Sequence, residues 1–378
     1  MRKLRLGMVG GGQGAFIGGV HRMAARLDGH WELVAGALSS DPDRARASAE
    51  ELGIAPDRAY ASFQDMAQPE AAREDCIDAV AIVTPNHMHA APAIAFLNAG
   101  IHVICDKPLA ATMADADAIA AAVASSGKQF ILTHNYTGYP MIRQARDMIA
   151  AEELGQLRVV QVEYAQDWLT EAADNKQANW RTDPTKSGAG GCVGDIGTHA
   201  FNLASFVTGA NVESVSADLH SFVDGRQVDD NVQVMLRFAG GAKGMLWASQ
   251  VAVGNENNLR LRIYGTKAGL EWAQEAPNHM SFTRFGQPKQ TLTRGGAGQW
   301  PAAERVTRIP GGHPEGYLEG FATLYSETAH LIRHADQGTP LPDGVHVPDI
   351  ADGLAGMRFI ASCVSSSQNN AAWTSLFD

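Results

Sequence analysis

The stretch that most constrains this chain is Leu4 to Val9 followed at once by Gly10-Gly11-Gly12-Gln13-Gly14-Ala15-Phe16-Ile17-Gly18-Gly19. The short apolar run reads as a buried strand, and His21 to Leu27 reads as a helix. Between them, glycines let the backbone turn tightly and approach a bound group closely. The helix start then offers unpaired N–H groups and the positive end of its dipole. In that order the three parts form a pyrophosphate cradle of a doubly wound α/β domain. Gly10 and Gly12 take the first two glycine positions. The third is Ala15 at regular spacing, or Gly18 if the loop carries three extra residues. Glycines alone would also suit a plain surface turn; the flanking strand and helix favour the dinucleotide.

The rest of the first third keeps this rhythm. Strands at Trp31 to Leu38, Asp78 to Val83, Ile101 to Cys105 and Gln129 to Thr133 alternate with helices at Arg44 to Leu52, Ala90 to Asn98 and Met113 to Ala124. Such alternation implies βαβ units and a parallel sheet covered on both faces. Near residue 138 the pattern changes to longer alternating runs, at Leu157 to Ala165, Val212 to Phe222, Asp230 to Phe238, Lys243 to Ala252 and Asn258 to Tyr264. Short turns between most of them predict an antiparallel sheet. Residues 284–316, rich in Gly and Pro, read as a long loop, and helices follow near Glu315 to Ala335 and Pro348 to Ser367. The expected fold is a Rossmann parallel sheet over residues 1–137. An α+β domain with an open, mainly antiparallel sheet is expected over 138–378.

With 30 basic against 41 acidic residues, the net charge of −11 argues against nucleic acid or an anionic membrane as partner. No apolar run reaches the roughly 18 to 20 residues that span a bilayer. The opening residues lack a signal peptide's apolar segment, so a cytoplasmic location is expected. Four scattered cysteines without a CxxC pair suggest neither a zinc site nor a disulfide framework.

Several strand ends carry candidate chemistry. After the second strand, where NAD enzymes place a carboxylate for the ribose hydroxyls, stand Ser39 and Ser40, with Arg44 nearby. Two hydroxyls and a guanidinium suit a 2′-phosphate, so NADP is expected in preference to NAD, although Asp41 is close. Thr84-Pro85-Asn86 closes the third strand on the ligand side, with His89 beginning the next helix; cofactor contact and a plain turn are equally compatible with that spacing. Cys105-Asp106-Lys107-Pro108 ends the fourth, where Pro108 restrains Lys107. A held ammonium suits a substrate oxygen on which charge develops, and a plain surface lysine after a strand is equally compatible with the spacing. Further on, Gly190-Gly191 leads into Asp195, His199 and Asn202, which share one face if helical. Asp195 then either orients the imidazole for acid-base work, or caps the following helix while His199 is a satisfied core histidine; taken alone, the spacing favours the second. No third ligand lies near enough in sequence to favour a metal.

Together, the glycine turn, Thr84-Pro85-Asn86 with His89, Asp106-Lys107-Pro108, Trp180-Arg181, and Gly190-Gly191 through Asp195, His199 and Asn202 resemble the Gfo/Idh/MocA oxidoreductases. The resemblance runs through most of the chain in the right order. It implies hydride transfer between NAD(P) and a carbinol of a sugar, cyclitol or related polyol. Lys107, Asp195 and His199 become the catalytic candidates, with Asn202 beside them at the substrate. Asn86, Asp106, Lys107, Trp180 and Arg181 are expected to border the cofactor. A homodimer or homotetramer through the C-terminal sheet is also implied. Three departures stand out: the longer glycine loop, Asp106 where Glu is commoner, and Asn202 where many members have Asp. Ser39, Ser40 and Arg44 resemble NADP-using members. Two other readings come with the family: glycoside processing through a 3-keto sugar, and a non-catalytic nucleotide-binding regulator. Tyr139, Asp167, Trp168, Arg181, His313 and Tyr317 complete the pocket candidates.

Overall fold

A computed structural model of the chain describes residues 1–172 and 176–377. Two compact units emerge: Met1–Asn135 with Tyr317–Leu354, and Tyr136–Gly316 with Ala355–Asp378. A single cut near residue 137 therefore does not divide this chain, because a late segment returns to the first unit.

The first unit is built on β1 (Leu4–Gly10), β2 (Trp31–Ala37), β3 (Ala79–Val83), β4 (His102–Cys105) and β5 (Phe130–Leu132). All pair in parallel, in the order β2-β1-β3-β4-β5. Every residue of β3 is buried, as a strand covered on both faces requires. The strand order reverses between β1 and β3, and ligands of open α/β sheets sit at such switch points, beyond the strands' carboxyl ends. One face is closed by helix Phe16–Leu27 and by helix Tyr317–Gln337, the element that brings the late segment back. Phe321, Tyr325, Ala329 and Ile332 join Val20, Ala24, Leu4, Leu6 and Trp31 in one apolar core. Trp31 Nε1 donates to the Tyr325 carbonyl at 2.9 Å, fixing the returning helix to the strand that it covers.

The second unit holds β6 (Leu157–Ala165), β7 (Val212–His220), β8 (Asn231–Phe238), β9 (Lys243–Ser249), β10 (Asn258–Gly265), β11 (Ala268–Ala273), β12 (His279–Arg284), β13 (Gln290–Thr293) and β14 (Thr374–Ser375). Among the described residues these form one sheet, β13-β12-β11-β10-β6-β9-β8-β7-β14. Its pairings are antiparallel except β6 with β9, which run in parallel. Strict alternation of buried and exposed residues along β8 shows one covered face and one outward face. On the outward face Met235 pairs across from Met245, and Gln161 and Val159 lie alongside.

Residues 284–316 are not one long loop. They contain β13 and a helix at Pro301–Arg305. The residue after β13 is tied to the segment's far end by a buried ion pair in which Arg294 Nη1 lies 2.9 Å from Glu315 Oε1. Glu315 Oε1 also accepts from the backbone N–H of Arg308 and of Ile309. The segment is ordered here through one carboxylate oxygen that gathers a guanidinium and two backbone N–H groups.

Candidate active site

In the first unit, five segments follow the carboxyl ends of parallel strands and therefore share one edge of the sheet. They are the glycine turn, Leu38-Ser39-Ser40, Thr84-Pro85-Asn86, Asp106-Lys107-Pro108 and Thr133-His134-Asn135. Gly10 has φ of 76°, where an L side chain is strained. Gly18 supplies the close approach of the third position: a Cβ there would lie 2.2 Å from the Gly11 carbonyl oxygen. Ala15 instead precedes helix Phe16–Leu27 as its N-cap residue. No acidic side chain occupies the first turn of that helix, so its N–H groups are electrostatically suited to an anion. The turn is held by the next helix, since Gln13 N donates to Ser48 Oγ at 3.1 Å. These residues fit a dinucleotide's pyrophosphate.

At the end of β2, Ser39 Oγ accepts from Asp41 N at 3.1 Å, and Asp41 Oδ1 accepts from Arg44 N at 2.8 Å. Asp41 thus caps helix Pro42–Glu51, while Ser40 and Arg44 are exposed. Thr84 Oγ1 donates to the Met88 carbonyl, shaping the turn in which Asn86 is buried. His89 does not face a ligand. It is fully buried, with Nε2 2.9 Å from the Thr84 carbonyl and Nδ1 2.9 Å from that of Pro108. The imidazole joins two loops of the sheet edge and has no free edge for a cofactor.

Asp106 is the electrostatic centre of this half. Its Oδ1 accepts from Thr133 Oγ1 at 2.8 Å and Lys107 N at 3.1 Å, with His21 Nε2 at 3.9 Å. Burial alone would raise its pKa, but the hydrogen bond and charge of His21, with Lys107 and Thr133, hold it well below the ordinary carboxylate range. His21 Nδ1 continues to the Tyr325 hydroxyl at 2.8 Å. His134, not singled out from sequence, is buried, and burial with the charge of Lys107 pushes its pKa down to about 3. It is therefore a neutral imidazole near Lys107. The Lys107–Pro108 peptide bond is cis.

In the second unit, Asp195, His199 and Asn202 lie on one helical run. Val193–Gly197 forms a π-turn that continues directly into helix Thr198–Thr208, so Asp195 is not an N-cap. Such turns are common at functional sites because they re-aim side chains. Asp195 Oδ2 accepts from Arg181 Nε at 3.2 Å and from Gln250 Nε2 at 2.9 Å. The Arg181 guanidinium also lies 4.3 Å from the Trp180 ring and 5.9 Å from that of Trp168. His199 and Asn202 are buried, and the Tyr136 ring meets the His199 ring edge-on at 4.9 Å. Tyr136 and Tyr164 share a hydroxyl contact at 2.5 Å, and Tyr164 donates to Asn257 Oδ1 at 2.7 Å.

The remaining candidates scatter. Tyr139 is core, edge-on to Trp272. Asp167 Oδ2 accepts from Gly254 N. His313 is exposed, its carbonyl bound by Arg294. Tyr317 belongs to the first unit, against Phe321. Sequence reasoning missed Gln250, Tyr136 and Tyr164. A single amide at a strand end and two tyrosines 28 residues apart carry no spacing signal.

A glycine cradle at the switch point of a parallel sheet, followed by a second domain that carries a carboxylate and an imidazole on one helical run, defines an NAD(P)-dependent oxidoreductase. Residues 4–136 match the family model described as oxidoreductase family, NAD-binding Rossmann fold, and 142–271 match the GFO/IDH/MocA C-terminal domain. The chain belongs to the Gfo/Idh/MocA family. It resembles an oxidoreductase of known structure from Sinorhizobium meliloti at 56% identity, covering 99% of both chains with a TM-score of 0.90. It also resembles an inositol dehydrogenase homolog from Azotobacter vinelandii, solved with NADH and myo-inositol. That likeness has 36% identity, 99% and 98% coverage and a TM-score of 0.93. Another structure of that homolog contains NAD+. Levoglucosan dehydrogenase of Pseudarthrobacter phenanthrenivorans (strain DSM 18606 / JCM 16027 / LMG 23796 / Sphe3) is 29% identical over 305 residues, covering 73% of this chain and 75% of that protein.

Proposed function

We propose that this protein is a dehydrogenase of a cyclic polyol or sugar, with Lys107, Asp195 and His199 at the reacting carbon. The observation that carries the reading is Lys107, which follows β4 at the same sheet edge as the glycine cradle. The likeness to a homolog solved with NADH and myo-inositol supports the substrate class. When bound, the nicotinamide supplies the hydride acceptor or donor. The Lys107 ammonium stabilises negative charge developing on the substrate oxygen, and His199 takes its proton as general base. Asp195, itself fixed by Arg181 and Gln250, orients the imidazole. Asn202 adds a neutral partner for a neighbouring substrate hydroxyl, and Trp180 and Arg181 border the cofactor.

The same reading lets the protein accept both NADP and NAD. Ser39 and Ser40 leave the β2 end without a carboxylate other than Asp41, whose Oδ1 is engaged as a cap. That permits a 2′-phosphate, while the relative's NAD+ and NADH complexes support NAD. The outward face of the second sheet, with Met235 and Met245 each more than half exposed, is the surface for a homo-oligomer.

The test is a panel of inositols and monosaccharides with either cofactor, read by nicotinamide absorbance. Lys107→Met and His199→Asn are each expected to lower kcat by about 100-fold or more while cofactor affinity stays within a fewfold. Turnover near the parent's in both variants would overturn the assignment. Release of an aglycone without net cofactor reduction would point to glycoside processing instead.

A further inference from the structure

Val228-Asp229-Asp230 leads into β8, and both aspartates are buried. Asp229 holds three successive N–H groups. Its Oδ1 accepts from Gly191 N and its Oδ2 from Val193 N, each at 2.7 Å, and its carbonyl accepts from Cys192 N at 2.8 Å. These donors open the helical run that carries Asp195 and His199, where the first turn has no partners of its own. The approach is close: a Cβ on Gly191 would lie 2.3 Å from the Asp229 carbonyl oxygen. The adjacent Asp230 carbonyl accepts from Gln250 N at 2.8 Å, and the Gln250 side chain is the amide bound to Asp195. One dipeptide therefore sets both the start of the reactive helix and the strand end that reaches its carboxylate.

We infer that Asp229 is a positioning residue for Asp195 and His199, acting by holding the N–H groups of Gly191 and Val193 on its two carboxylate oxygens. This rests on the proposed roles of Asp195 and His199. An ionised carboxylate accepts both bonds. A neutral amide offers one acceptor and turns an N–H toward the other donor. Charged and titratable groups around Asp229 are the adjacent Asp230, which pairs with Arg226, Cys192 on the helical run, which also feels Asp195, and Cys363 on helix Ile350–Gln368. Burial pushes the Asp229 carboxyl up to about 6 against the pull of its backbone bonds, with Asp230 adding to the rise. Positioning then weakens as pH falls through that value.

Asp229→Asn is the test, made in the full-length protein with NADH and the best polyol of the panel. Expected are unchanged NADH affinity, a kcat lowered about 10- to 100-fold, and an altered low-pH limb of kcat in which only the share set by Asp229 is lost. The ring resonances of His199, assigned by their absence in His199→Asn, should also move. Gly191→Ala, which presses the same contact from the other side, should give the same kinetic split and ring shift if Asp229→Asn does not fold. Parent kcat, parent pH profile and unmoved His199 resonances would overturn the inference. So would failure of both variants to fold, since the anchor would then serve stability alone. If the parent oxidises no polyol, the proposed function fails, while the His199 resonances still decide the role of Asp229.

Discussion

Gly18 and Gly19 stand side by side on one helix yet answer to different constraints. A methyl group at Gly18 would meet the Gly11 backbone, whereas at Gly19 the nearest atom is Arg22 Nη2 at 4.0 Å. Gly18→Ala must push the helix away from the turn, a cost of about 1–3 kcal/mol, and should weaken NADH binding. Gly19→Ala should be neutral or stabilise by about 0.4–1 kcal/mol through the unfolded chain. Urea denaturation and NADH fluorescence check both. At the end of β2, Ser39→Asp should lower kcat/KM for NADP at least about tenfold while sparing NAD, because a carboxylate repels the 2′-phosphate. His134 makes a pH prediction. Its folded pKa of about 3 lies below the unfolded value, so the unfolded chain binds the extra proton. Its contribution is complete above about pH 6.5 and is lost as pH falls from there toward 3. His134→Gln should flatten the fall in urea midpoint between pH 7 and 5.

Among elements, helix Tyr317–Gln337 shows where sequence periodicity stops informing. Its existence was legible from apolar spacing, but a stripe such as Phe321, Tyr325 and Ile332 does not say which sheet it covers. Only the structure returns it to the first unit, where Phe321→Ala should cost about 3–5 kcal/mol as a cavity in the core around Leu6 and Val20. The parallel strands were legible for a simpler reason: five buried runs, each closed by glycine or polar turn residues, allow few other arrangements. The glycine cradle and the run from Asp195 to Asn202 were legible as local spacing. Gln250 and the parallel pairing of β6 with β9 were not, being contacts between residues far apart in the chain. His89 misled because a histidine after a strand end looks like a ligand-facing group, while its two backbone carbonyl partners appear only in three dimensions. The segment from 284 to 316 misled because Gly and Pro suggest a loop; the buried pair of Arg294 with Glu315 is invisible to composition. Breaking that pair with Glu315→Gln should cost about 3–5 kcal/mol, read as a lower denaturation midpoint.

For the whole molecule, the outward face around Met235 and Met245 is the feature to test. Replacing both by lysine should leave the unit's covered face untouched and, if that face joins copies, lower the mass measured by light scattering to that of one chain. A net charge of −11 makes unspecific contact between such faces unfavourable, so association there would reflect fit.

The late return of Tyr317–Leu354 also has a consequence for synthesis. On the ribosome, the parallel sheet emerges first, but the face that helix Phe16–Leu27 shares with Tyr317–Gln337 stays only partly covered until more than 300 residues have been made. The nascent chain must therefore carry an uncovered apolar surface while the second sheet is translated, which marks it as a client for chaperones. A fragment stopped at Asn135 would keep that surface permanently and should aggregate, and adding Tyr317–Leu354 as a separate peptide should rescue its solubility.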